Sequence, residues 1–147
     1  MMKPEVRIIS KMSKKIPRND LDPNLKVLNE IEDIDGINIK LLLKTVNKRI
    51  QLEQGRSHII SHGYFTSLVG KQNTEAKIEL GVIFKDRIIP LLQKYFDNDW
   101  EKIRMVLGDD KKNDDNKKYQ FIKTREYEYK INEEAFLDIT SYLKIYN

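Results

Sequence analysis

Cysteine is absent from this chain of 147 residues, and so is any long apolar run. Without cysteine the chain can form neither disulfides nor thiolate metal sites. Its apolar runs are only a few residues long, far short of the roughly 20 that a membrane-spanning helix requires, and its charged start lacks the apolar stretch of a signal peptide. Because 39% of the residues are hydrophobic and 34% are charged, we expect a folded, very soluble cytoplasmic protein without a membrane partner.

Glycine is also scarce, which bears on nucleotide chemistry. The six glycines are scattered too widely for Gly-x-x-x-x-Gly-Lys or Gly-x-Gly-x-x-Gly, the loops whose backbone amides approach phosphates. Magnesium-holding acids after an apolar strand are missing as well, and no Gly-x-Ser-x-Gly elbow marks a serine hydrolase. We therefore predict no catalytic residues and no nucleotide hydrolysis by this chain alone.

Excess positive charge is confined to the first 20 residues. They hold six cations and two acids, which accounts for the whole net charge of +4, whereas the later residues balance 21 cations against 21 acids. Pro4, Pro17 and Pro23 interrupt any helix here. We predict a basic, flexible lead-in over residues 1–23, ahead of a single domain over 24–147. The basic arm that could contact DNA phosphates comprises Lys11, Lys14, Lys15 and Arg18.

Helical periodicity dominates the first part of the predicted domain. One apolar stripe with helical spacing consists of Ile39, Leu42, Leu43, Val46 and Ile50. Gly55 follows at the position of a helix stop. A second helix is predicted to begin at Thr74, whose hydroxyl can cap the first turn, and to kink or break at Pro90. A third helix, capped by Asp99 and ended by Gly108, completes a small bundle.

A charged segment and a β pattern follow the predicted bundle. Residues 109–118 are four Asp, four Lys and two Asn, so we expect a mobile, solvated loop. Alternation of apolar and polar residues over 119–131 predicts a half-buried hairpin that turns near residues 124–126. Asn132 and two glutamates then favour the start of a terminal helix. The predicted fold class is mainly α: a small helical bundle, a short antiparallel hairpin and a C-terminal helix.

The spacing of two histidines raises the question of a metal site. His58 and His62 are four residues apart and would share a helix face, the spacing that zinc requires of two imidazoles. A third ligand is not evident, and no glutamate lies between them to act as a base. We therefore predict no metal site and interpret both histidines as structural.

Several segments, in order along the chain, resemble one protein family. They are Leu42-Leu-Lys-Thr-Val-Asn-Lys-Arg-Ile50, Arg56-Ser-His-Ile-Ile-Ser-His-Gly-Tyr-Phe65, Arg87-Ile-Ile-Pro-Leu-Leu-Gln-Lys-Tyr-Phe96, Trp100-Glu-Lys-Ile-Arg-Met-Val-Leu-Gly108 and the last segment from Tyr129 to Tyr146. Together they are similar to the C-terminal lid region of McrB-type AAA+ GTPases, the motors of methylcytosine-dependent restriction systems. The resemblance runs from about Asp22 to the last residue and lacks the P-loop core.

The resemblance implies a lid, the small helical subdomain that packs over the nucleotide and against the next subunit of a ring. The residues that it implies at the nucleotide or subunit face are Arg56, His58, His62 and Tyr64. GTP and Mg²⁺ would be bound only by a missing or partner P-loop domain, so the implied partners are an AAA+ core or the subunits of an McrB-like ring. The family pattern Asp-Arg-Asp-His-x-Ile-Gly-His-Ser-Tyr-Phe has lost both acids here, where the chain reads Gly55-Arg-Ser-His58.

Two functions remain open from the sequence. In the first, the chain is the lid part of an McrB-like restriction GTPase and depends on a partner that supplies the P-loop. In the second, it is a free-standing interaction or DNA-binding module that uses its basic N-terminal arm. For His62, Tyr64 and Phe65, a core role between the first two helices is as good an interpretation as a contact role.

Overall fold

The computed structural model describes residues 28–55 and 58–147. The α-helices are α1 (Ile39–Gln54), α2 (Asn73–Val82), α3 (Ile89–Tyr95), α4 (Trp100–Val106) and α5 (Ile139–Tyr146). The strands are β1 (Ile122–Arg125) and β2 (Glu128–Ile131). Short 3₁₀-helices span His62–Leu68, Asp109–Lys111, Asp114–Tyr119 and Glu133–Leu137, and a π-helix spans Ile83–Ile88. The predicted fold class, a helical bundle followed by a hairpin and a C-terminal helix, is confirmed. The predicted lead-in and its basic arm lie outside the described residues.

Helix α1 forms as the apolar stripe predicts. The Asn38 side chain accepts a hydrogen bond from the Leu41 amide at 3.0 Å and so caps the first turn. Gly55 ends the helix with a φ of 88°, and its amide donates to the Gln51 carbonyl. All five stripe residues are buried, so α1 is a central element of the core.

The predicted interruption at Pro90 takes the form of a π turn. Residues Ile83–Ile88 are π-helical, and the Ile89 amide bonds to the Phe84 carbonyl, five residues back. This change of hydrogen-bond register lies immediately before Pro90, in the first turn of α3, and accommodates a residue that has no amide to donate. The chain therefore stays helical from α2 through α3.

Two predicted helix starts differ from the structure. Helix α2 begins at Asn73, with Gln72 before it and no side-chain cap, so Thr74 lies inside the first turn and the predicted cap is wrong. Asn tolerates the left-handed φ of 55° that Asn73 adopts at this start. At the other end of the chain, the predicted terminal helix is a 3₁₀-helix followed by α5, which Asp138 caps by accepting from the Thr140 amide at 3.0 Å.

The hairpin is confirmed, and its turn lies slightly later than predicted. Ile122 pairs with Ile131, and Arg125 pairs with Glu128. The two turn residues, Glu126 and Tyr127, both have positive φ, as a two-residue type I′ turn requires. Tyr127 is consequently 99% exposed, so the alternation predicted over residues 119–131 does not hold at this residue.

The segment over residues 109–118 is not the mobile loop that its composition predicts. Asp109 and Lys112 are fully buried and form an ion pair at 3.0 Å. The Asp109 carboxylate also accepts hydrogen bonds from the backbone amides of Phe121 and Ile122, each at 2.9 Å. Lys112 donates a second hydrogen bond to the Tyr119 carbonyl at 2.9 Å. Because each charge is paired and hydrogen-bonded inside the protein, both can leave water.

Aromatic packing joins the helical bundle to the C-terminal elements. The Phe84 ring lies 5.9 Å from Phe121 and 5.1 Å from Tyr142, and the Phe121 ring lies 5.0 Å from Phe136. A Cβ at Gly81 would lie 3.0 Å from the Phe136 carbonyl oxygen, so a larger residue would require the two backbones to move slightly apart. One continuous core therefore extends from α1 to α5. None of the helices described is long and apolar enough to cross a membrane.

We predict that Asp109→Ala lowers the free energy of unfolding by about 3–5 kcal/mol, because it leaves the Lys112 ammonium buried without its counter-charge. Equilibrium urea unfolding measures this change. The matched control is Asp115→Ala, since Asp115 is exposed in the same charged segment, and it should cost less than about 0.5 kcal/mol. Equal losses in the two variants would contradict a buried, structure-forming role for the pair.

Candidate functional site

Residues 58–64, called here the histidine segment, are fastened to the middle of α1. The Asn47 side chain donates to the Ile60 carbonyl at 3.0 Å and accepts from the Ile60 amide at 2.6 Å. Asn47 is 3% exposed, so this two-way bond satisfies polar groups that have lost their contact with water. The position of the histidine segment therefore follows the position of α1.

Tyr95, at the end of α3, holds the same segment from the other side. Its hydroxyl donates to the Ile59 carbonyl at 2.9 Å, and its ring meets the His58 ring edge-on with centroids 5.1 Å apart. Burial raises the pKa of the Tyr95 phenol, and the neighbouring Tyr64 raises it further. The phenol therefore keeps its proton at neutral pH and remains a donor.

The rest of the histidine segment turns into a 3₁₀-helix. The Ser61 hydroxyl accepts from the Gly63 amide at 3.1 Å, and the Thr66 hydroxyl donates to the Gly63 carbonyl at 3.1 Å. Phe65 is buried, with its ring 6.1 Å from that of Phe84. Tyr64 is half-buried and packs against the core. Local hydrogen bonds thus fix the backbone, and one aromatic ring anchors it.

The structure places three of the four predicted contact residues on this segment. His58, His62 and Tyr64 are each half-buried, which leaves part of each side chain accessible, while Arg56 lies outside the described residues. The two histidines do not share a helix face, because residues 58–61 are not helical and His62 begins the 3₁₀-helix. Across the described parts of the chain, no group of three or more histidine, aspartate or glutamate side chains could hold a metal ion.

Sequence reasoning missed the two side chains that position the segment. Asn47 lies between buried residues of α1, and a polar side chain at such a place signals a buried hydrogen-bond partner. Tyr95 ends its helix, and a partly buried tyrosine at such a place commonly uses its hydroxyl. Neither signal identifies the partner, which lies 13 residues away for Asn47 and 36 for Tyr95.

The side chains at this site are suited to non-covalent contacts with a ligand or a neighbouring subunit. Two imidazoles and a phenol can exchange hydrogen bonds with a ligand or a neighbouring subunit and can stack on planar groups. Because these half-buried side chains sit on a fixed backbone, little conformational freedom is lost when a partner binds them.

We predict that Asn47→Ala loosens the histidine segment, because it strands the buried amide and carbonyl of Ile60. The expected loss in free energy of unfolding is about 1–3 kcal/mol, with faster amide hydrogen exchange at Ile60. Lys48→Ala, on the exposed face of the same helix, is the control and should leave both quantities almost unchanged. Unaltered exchange at Ile60 in the Asn47 variant would contradict the anchoring role.

Comparison with known proteins connects this geometry to a family. A family model described as the alpha-helical lid domain of McrB matches residues 38–104. The matched range begins at the N-cap of α1, contains the histidine segment and ends in α4. No curated protein and no solved structure matches the chain. Residues 38–104 are therefore similar to the α-helical lid domain of McrB, and this similarity supports a link to McrB-like AAA+ proteins.

Proposed function

We propose that the chain serves as the lid and C-terminal part of an McrB-like AAA+ GTPase in a DNA restriction system that defends against phage. The observation that carries the proposal is the McrB lid match over residues 38–104. In this proposal the lid region has no catalytic activity of its own and works with a P-loop domain from a partner or from another part of the same machine.

The residues present do not fit GTP and Mg²⁺ as resident ligands. The 147 residues contain no P-loop, and no acidic cluster suited to a metal occurs among the residues that the structure describes. GTP and Mg²⁺ would therefore be held by the P-loop partner. In this proposal the chain contributes the histidine segment, a surface that moves when the partner changes its state.

The two attachments of the histidine segment support a movement of the domain as a rigid unit. Asn47 ties it to α1 and Tyr95 ties it to α3, so a displacement at residues 58–64 would move both helices. Helix α1 also packs on α4 and α5. The whole domain would then move as a unit, as lids do when a nucleotide site closes. His58, His62 and Tyr64 are the proposed contacts to nucleotide or neighbouring subunit.

The second candidate is a free-standing interaction or DNA-binding module. It is favoured by the six cations within residues 1–20, which can release counterions from DNA phosphates. Loss of salt-dependent DNA binding after deletion of residues 1–20 would support this module.

We predict that the full chain alone shows no GTP binding by calorimetry but raises GTP hydrolysis by a P-loop-bearing McrB-type core from which the lid has been removed. His62→Ala together with Tyr64→Ala should reduce this stimulation by about tenfold, since each removes a contact at a subunit face. The control is Lys117→Ala, which changes an exposed residue outside the lid match.

Circular dichroism must show that each variant is folded before rates are compared. Tight GTP binding by the isolated chain would overturn the non-catalytic assignment. Full stimulation by the double variant would overturn the proposed contact face, even if the lid function itself were retained.

A further inference from the structure

A concave site, separate from the histidine segment, lies at the C-terminal end of the chain. A pocket of about 290 Å³ is lined by four cations, Arg49, Lys111, Lys112 and Lys144, and by residues 145–147. None of the pocket-lining residues that the structure describes has an acidic side chain. The family match ends at residue 104, so three of the four cations lie outside the lid region.

Hydrogen bonds hold the Arg49 guanidinium at the pocket wall. Its two terminal nitrogens donate to the carbonyls of Val106, at 3.1 Å, and Ile145, at 2.7 Å. Those carbonyls belong to the last residue of α4 and to the last turn of α5. Gly108 has a φ of 78°, which favours glycine, and a Cβ there would lie only 3.3 Å from the Lys144 carbonyl oxygen beside the guanidinium. Arg49 is therefore a fixed charge and not a mobile surface side chain.

Charge compensation at the pocket is incomplete. The Asp109 carboxylate is committed to Lys112 and to two backbone amides. Asp110 is the acid that acts electrostatically on Arg49, whose pKa burial nevertheless lowers. Burial also lowers the pKa of Lys112, against the effect of Asp109, and repulsion from Lys144 and Arg49 lowers it further. Lys111 and Lys144 thus add positive charge to a recess that already repels cations.

We propose that this pocket binds a phosphate group, with Lys111 and Lys144 as its direct ligands and Arg49 and Lys112 as fixed charges behind them. A phosphate supplies the negative charge that the cluster lacks and can accept several charge-assisted hydrogen bonds at once. The volume suits a small anionic group, since it is at the low end of the range for ligand sites. The group can belong to a small phosphorylated molecule or to a nucleic-acid backbone.

The proposed site is separate from the histidine segment. Arg49 and Asn47 are two positions apart on α1, so their side chains are separated by a rotation of about 200° around the helix axis. Asn47 faces the histidine segment, which places the pocket on the opposite side of the helix. Failure of phosphate binding would therefore leave the lid proposal intact, and the reverse also holds.

The test is a titration of the isotopically labelled full chain, in low-salt buffer, with inorganic phosphate and then with pyrophosphate, followed by NMR. We expect saturable shifts of the amides of Gly108, Lys111 and Ile145. The double variant Lys111→Ala with Lys144→Ala should weaken binding by about tenfold or more, because it removes both direct charge-assisted contacts. Its matched control, Lys117→Ala with Lys118→Ala, removes the same charge from residues outside the pocket.

A parallel titration with a short DNA duplex distinguishes the two sources of phosphate. If the duplex shifts the same amides and the pocket variant weakens duplex binding, the ligand is a backbone phosphate. If only the free anions shift these amides, the ligand is a small phosphorylated molecule. Non-saturating shifts, or equal weakening by the pocket variant and its control, would overturn the proposal, because either result indicates general charge attraction.

Discussion

The buried carboxylate of Asp109 is the interaction on which the rest of this structure depends. It accepts a hydrogen bond from the Lys112 ammonium and from the amides of Phe121 and Ile122. Asp109 directly follows the glycine after α4, and the two amides lie at the start of the hairpin. A single side chain thus sets the direction in which the chain leaves the helical bundle, and it brings the C-terminal elements back onto the core.

Two arginines strengthen the same junction. Arg104, on α4, donates to the Ile122 carbonyl at 2.9 Å, and Arg49, on α1, donates to carbonyls at the ends of α4 and α5. These charged hydrogen bonds join elements that are far apart in sequence. Because they sit behind a continuous aromatic core, the lid region and the C-terminal hairpin and helix are built as one body. That construction suits a part that transmits motion without deforming.

The features that could be predicted from the sequence are those with local causes. The α1 stripe, the Asp99 cap and the hairpin each rest on neighbouring residues, and each is present. Residues 109–118 could not be predicted, because burial of Asp109 depends on amides 12 and 13 residues away. The candidate site behaves likewise: His58, His62 and Tyr64 are recognisable as a motif, whereas their supports, Asn47 and Tyr95, act through distant carbonyls.

The central claim is that residues 58–64 face a P-loop partner in a nucleotide-dependent way. The absence of native cysteine allows a direct measurement with His62→Cys and, as control, Tyr127→Cys at the exposed hairpin tip. Each variant is mixed with an McrB-type core that lacks its lid and is treated with a short thiol–amine crosslinker, with and without a non-hydrolysable GTP analogue. We expect crosslinking from position 62 that changes with the nucleotide, and no such dependence on the nucleotide at position 127. Equal crosslinking from both positions, indifferent to nucleotide, would contradict it.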